Sequence, residues 1–184
     1  GAATVICTDK TGTLTKNKMT VIETDFYGGE EELELIRQNM AINSTAEVYK
    51  DKDGELVTIG NPTEIALLKW MHKNGPDYDV YRKQASDVEL IPFSTEAKYM
   101  QTTAVVQEGE TPIRFIKGAP EIVLNMCDTI AGNQTKNHIE DTLLQYQSKA
   151  MRTLGFAYQR LKGNDYNETV FLGVVGIADP IRDD

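Results

Sequence analysis

Two short β-rich runs, "AEVYK" at residues 46–50 and "ELVTI" at 55–59, flank "DKDG", and this pattern commits that stretch to an antiparallel hairpin. A parallel neighbour would need a crossover of a dozen or more residues, which the spacing does not allow. Gly54 supplies the residue that takes positive φ at low cost. The same reading applies further on, where "VELIPF", "YMQTTAVVQ" and "PIRFIKG" form three expected strands and "EGET" is the tight turn between the last two.

Helical patterns alternate with these strands. "EEELELIRQNMAINS" places Leu33, Leu35, Ile36, Met40 and Ile42 on one face, and its acidic start suits the positive end of a helix dipole. In "GNPTEIALLKWMHKNG" Asn61 is the expected cap, Pro62 stands in the first turn and Gly75 closes the end. "DYDVYRKQA", "APEIVLNMC" and "HIEDTLLQYQSKAMRTLG" read as further helices, and "FAYQRLK" and "ETVFLGVVGIADP" as further strands. Hairpins interleaved with helices predict an α+β fold, an antiparallel sheet flanked by helices.

The two ends read differently. "VICTD" and "VGIAD" are apolar runs that finish at an Asp, as expected of strands buried on both faces. They are expected to be neighbouring strands of a separate parallel sheet, with the antiparallel middle inserted between them. The resulting division is 1–20, 21–172 and 173–184.

Composition narrows the function. The chain has 184 residues and a net charge of -9, and its 19 basic residues form no stripe, so nucleic-acid phosphates are unfavourable partners. Any phosphate ligand must be held by a few cations placed locally. The run "VFLGVVGIA" is far short of the ~20 residues a membrane-spanning helix requires, so no direct membrane insertion is expected of these residues. Cys7 and Cys127 lack metal-ligand spacing and read as reduced, buried thiols.

Asp9 closes the run "VICTD" and enters "CTDKTGTLT", a loop of hydroxyls around Gly12. At the carboxyl end of a parallel strand, backbone N–H groups and loop side chains converge on ligands. A carboxylate there can attack phosphorus when Mg²⁺ and nearby donors offset the repulsion between anions. Lys10, the Thr11 backbone, Gly12 and Thr13 offer that chemistry. A second Asp two residues after the nucleophile could act as general acid and base, but Thr11 stands there and cannot take the proton. A phosphoryl group on Asp9 should therefore persist until another part of the protein releases it.

"DKTGTLT" resembles the phosphorylation motif of the P-type ion-motive ATPases. The resemblance implies that Asp9 accepts phosphate from ATP, that Lys10 and Thr11 complete the catalytic loop, and that Asp9 and Thr11 contribute to a Mg²⁺ site. Three further segments resemble those with which the family's inserted domain holds ATP. "PFSTEAK" offers Phe93 for stacking on adenine and Lys98 five residues later, although Thr95 stands where the family often has Arg. "KGAPE" offers Lys117 and Gly118, with Gly118 permitting close backbone approach. "NPTE" offers Glu64 as acceptor for the adenine amino group.

"MRTLGFA" places Arg152 where the family has a phosphate-facing Arg. "ADPIR" resembles the return hinge and adds Asp179 and Arg182. Ile181 in that segment, with "INSTAEV" and "GNPTEIALL", is similar to calcium pumps of the plasma-membrane type. The resemblance implies the ATP-binding part of a cation-transporting ATPase, on the cytoplasmic side of an integral membrane protein, with the remaining phosphorylation, actuator and transmembrane parts as its partners. ATP binding without turnover is expected of these residues alone. Two alternatives stand beside this reading: a soluble haloacid-dehalogenase-like phosphatase, and a nucleotide-binding module whose Asp9 motif is vestigial.

Overall fold

A computed structural model of the chain describes residues 19–162 and 167–179. Asp9, Lys10, Thr11 and Arg182 lie outside the described residues, as do "VICTD" and Cys7. Among the described residues the elements run β1 (Thr20–Phe26), α1 (Glu30–Ile42), β2 (Glu47–Lys50), β3 (Leu56–Ile59), α2 (Pro62–Asn74), α3 (Tyr78–Gln84) and β4 (Ser86–Ile91). They continue with β5 (Tyr99–Val105), β6 (Ile113–Gly118), α4 (Pro120–Asn125), β7 (Thr129–Ile130), α5 (Lys136–Ser148), β8 (Arg152–Arg160) and β9 (Thr169–Ala178).

The main sheet has seven strands in the order β1-β9-β8-β6-β5-β4, with the short β7 added alongside β9. All pairs in it are antiparallel except β7 with β9. The β2–β3 hairpin forms a separate two-stranded sheet, and Gly54 takes φ +82° at its turn as the "DKDG" signal requires. This is the expected α+β architecture. Helices cover both faces, so every residue from Phe171 to Ile177 is buried. On one face Asn39 of α1 donates to the carbonyls of Ile116 and Ala157 across β6 and β8. On the other, the space over Gly176 is filled by Tyr146 of α5 and by Met151.

Local chemistry sets the helix ends. The Asn61 side chain accepts from the N–H groups of Thr63 at 2.7 Å and Glu64 at 3.4 Å, a cap of about 1 kcal/mol that fixes the first turn of α2. The apolar face of α2 then buries Ile65, Leu67, Leu68 and Met71. Each such side chain removed from water contributes about 1.5–3 kcal/mol, so the cap sets the register while burial supplies most of the stability.

Two expectations change. "VGIAD" does not form part of a separate parallel sheet; β9 runs unbroken between β1 and β8, antiparallel to both. A continuous apolar run reports burial on two faces, and an antiparallel sheet covered by helices meets that condition as well as a parallel one. The expected boundary between residues 172 and 173 thus falls inside β9. The helix expected over 138–155 also stops early: α5 ends at Ser148, Ala150 takes φ +59°, and the chain re-enters the sheet at Arg152. Among the described residues no helix is long and apolar enough to cross a membrane.

Candidate functional site

One end of the sheet carries a cleft of about 270 Å³ lined by Asn61, Thr63, Glu64, Phe93, Met100, Lys117, Gly118, Arg152 and Leu154. Strand register gathers them. Met100 in β5 is opposite Lys117 in β6, and Gly118 is opposite Gly155 in β8, so the start of β5, the end of β6 and the start of β8 share one edge. The capped first turn of α2 brings Glu64 onto that edge, and the loop between β4 and β5 brings Phe93.

Lys117 and Glu64 form an ion pair, Nζ to Oε2 at 2.9 Å, and both are nearly sealed, with side chains 4% and 9% exposed. Such a pair is stable only where further hydrogen bonds offset the desolvation of its charges. Several do so here. The Lys117 ammonium also donates to the carbonyl of Asn43, while Glu64 Oε1 accepts from the N–H of Thr45 at 3.3 Å and its hydroxyl at 3.4 Å. Burial pushes the Lys117 pKa down, and its carboxylate partner only partly restores it. For Glu64 burial pushes upward but loses to the Lys117 charge and the bonds from Lys117 and Thr45, which leaves the carboxyl below its ordinary range.

The mouth of the cleft contrasts with this floor. Phe93 is 53% exposed, although a large aromatic side chain gains most by burial. Met100 and Leu154 supply apolar wall, and Arg152 stands exposed at the first position of β8. The arrangement suits a flat, partly apolar ligand with a polar edge, with a cation available at the rim. Its volume lies near the lower limit of the roughly 300–1,000 Å³ typical of small-molecule sites, enough for a base rather than a whole triphosphate.

Glu64, Phe93, Lys117, Gly118 and Arg152 are therefore brought together. Lys98 is not among the residues lining the cleft; it is exposed at φ +65°, and its backbone bonds to Ser94 and Ala119 fix the loop. Asp179 is exposed just beyond the end of β9 and lines no part of the cleft. Gly118 has a role beyond the cleft: a Cβ there would stand 2.5 Å from the Lys98 carbonyl oxygen and the Tyr99 Cα, so close packing of β6 on β5 excludes a side chain. Among the described residues no group of three or more His, Cys, Asp or Glu could hold a metal ion.

Sequence reasoning missed Asn43, Thr45, Thr102, Met100 and Leu154. Asn39 and Asn43 do carry a signal, because two amides four residues apart on an otherwise apolar helix face must find buried partners. The thiol of Cys127 donates to the Val123 carbonyl at 3.2 Å, and burial pushes its pKa to about 12, in keeping with a structural thiol.

Residues 32–184 match the family model described as P-type ATPase, cytoplasmic domain N. "Calcium-transporting ATPase PAT1" of Dictyostelium discoideum is 37% identical over 99% of this chain and 19% of its own length. "Calcium-transporting ATPase 4, plasma membrane-type" of Arabidopsis thaliana is 33% identical over 99% of this chain and 21% of its own length. "Calcium-transporting ATPase 1" of Lactococcus lactis is 31% identical over the whole chain and 23% of its own length. The chain spans about a fifth of these curated relatives.

Proposed function

The chain belongs to the P-type ATPases, matching their cytoplasmic domain N, and from that premise we propose that the cleft at the start of β5, the end of β6 and the start of β8 binds the base of ATP. The observation that carries this reading is the half-exposed Phe93 ring at the mouth of a cleft whose floor is a buried Lys117–Glu64 pair. An aromatic face left open is a stacking platform for a flat base. A carboxylate has about four acceptor sites, so Glu64 retains capacity for an amino group beside its bonds to Lys117 and Thr45. Arg152 stands at the rim, where phosphates would emerge, and Lys98 lies on the loop that carries Phe93.

In the parent protein we assign Asp9 as the phosphoryl acceptor, with Lys10 beside it and Asp9 and Thr11 contributing to a Mg²⁺ site. When bound, Mg²⁺ would neutralise charge developing on the transferred group. Asp179 and Arg182 would belong to the segment returning toward that site. The names of the relatives support calcium as the transported ion and a membrane protein as the parent, and the matching family description, cytoplasmic domain N, supports the cytoplasmic side as the location. Phosphorylation, actuator and transmembrane parts of that pump would be the partners. The sheet from β1 through β9 with its helices is assigned to the nucleotide-binding domain, and the segments before β1 and after β9 to the hinge and the edges of the phosphorylation domain. Sustained hydrolysis needs electrostatic groups from those other parts, so this chain alone should bind ATP without turnover.

Titration with ATP, followed by backbone amide shifts, tests the reading. Shifts should centre on Glu64, Phe93 and Lys117, and Phe93→Ala should weaken affinity about tenfold through lost stacking, with little effect on stability. Equal affinity in wild type and Phe93→Ala would place the base elsewhere. Steady ATP hydrolysis abolished by Asp9→Asn would show that the chain needs no missing groups.

A further inference from the structure

The Lys117–Glu64 pair is held almost wholly by one short segment, Asn43 to Thr45, just beyond α1. Asn43 offers its main-chain carbonyl to Lys117, and Thr45 offers its N–H and hydroxyl to Glu64. The segment is itself anchored from beneath. The Asn43 amide donates to Asn39 Oδ1 at 3.2 Å and to the Phe115 carbonyl at 3.3 Å, and its Oδ1 accepts from the Thr102 hydroxyl at 2.7 Å. Asn39, Asn43 and Thr102 are all fully buried, and neither Asn43 nor Thr102 lines the cleft.

A buried polar chain of this kind is costly unless every member is satisfied, and satisfied it holds its members in one arrangement. An ammonium has three N–H donors. Two of those on Lys117 go to Asn43 and Glu64, which leaves one for the cleft.

We propose that Thr102 and Asn43 are positioning residues for nucleotide binding: the Thr102 hydroxyl fixes the Asn43 amide, Asn43 fixes its own carbonyl, and that carbonyl aims the remaining N–H of Lys117 at the bound nucleotide. The proposal rests on the ATP reading given above and adds to it two residues that touch no ligand. It makes Thr102, in the middle of β5, a determinant of affinity through a relay of two hydrogen bonds.

Asn43→Ala would strip several buried bonds at once and risks unfolding the chain, so the test uses Thr102. Thr102→Val keeps the shape and removes the donor. ATP affinity, read from amide shifts, should fall about three- to tenfold, as expected for one lost hydrogen bond of modest strength. Thr102→Ser, which restores the donor, should recover most of the wild-type affinity. In a Lys117→Gln background, Thr102→Val should cause little further loss, because the side chain through which it acts is gone.

Unchanged ATP affinity in a folded Thr102→Val chain would overturn the proposal. So would an equal loss in the wild-type and Lys117→Gln backgrounds, or a failure of Thr102→Ser to rescue. Each of those results leaves ATP binding by the cleft intact. Absence of ATP binding by the unsubstituted chain would instead overturn the nucleotide reading and the relay with it.

Discussion

Two contacts between a basic and an acidic side chain brace this domain at different places, and their lengths are nearly the same. Lys117 meets Glu64 at 2.9 Å in the cleft, and His138 of α5 meets Asp25 of β1 at 2.8 Å. Their surroundings differ. The first pair is 4% and 9% exposed, the second 43% and 30%. Asp25 also accepts from Tyr27 and Thr142, so it is well bonded, but water reaches it and screens its charge. Contact distance alone does not rank interactions; the cost of leaving one partner behind does.

The largest effect should follow from Lys117→Met, which strands the Glu64 carboxylate in a nearly dry site. A loss of about 3–5 kcal/mol is expected in urea unfolding. Lys117→Met combined with Glu64→Leu should recover much of it, since an apolar pair leaves no buried charge. If Lys117→Met costs no more than a surface pair, the contrast between the two regions is wrong.

Acid titration sharpens the same contrast. Glu64 is held below its ordinary value of 4.5 in the folded state, so its contribution is complete above that pH and is lost as pH falls toward the lower folded value. Its share of the slope is at most about 1.4 kcal/mol per pH unit. Unfolding free energies measured from pH 6 downward should show this share vanish in the Lys117→Met, Glu64→Leu chain and persist in His138→Gln. The smallest effect belongs to His138→Gln itself, below about 1 kcal/mol for a contact so open to water. A cost well above that would mean that the β1–α5 contact is less open to solvent than its exposure indicates.

The parts of this fold legible in the sequence are those decided locally. Asn61, Pro62 and Gly75 bound α2 because capping and φ restrictions act within a few residues, and "DKDG" made its hairpin for the same reason. Phe93, Glu64 and Lys117 were found by resemblance, and the register of β5 with β6 and the cap of α2 explain how they meet. The partner of β9 was not legible, because two-sided burial carries no information about strand direction. Arg152 lies within the segment whose periodicity predicts a helix, whereas it opens β8; the left-handed turn at Ala150 that ends the helical path falls on a residue type with no preference for it. Of the Asn39–Asn43–Thr102 chain only the two amides four residues apart leave a sequence signal; Thr102, fifty-nine residues from Asn43, meets it only in three dimensions.

The antiparallel contact of β1 with β9 sets Thr20 opposite Ala178, at the outer ends of the first and last strands among the described residues. Those two points of the backbone are within one strand spacing of each other, so the domain is nearly a closed ring of chain. Rings of this kind tolerate being cut at an exposed turn and rejoined across the gap. A circular permutant opened between Lys52 and Asp53, with a short linker from Asp179 to Met19, should fold with its cleft intact. The same closeness would allow the domain to be spliced as a cassette into a surface loop of an unrelated scaffold.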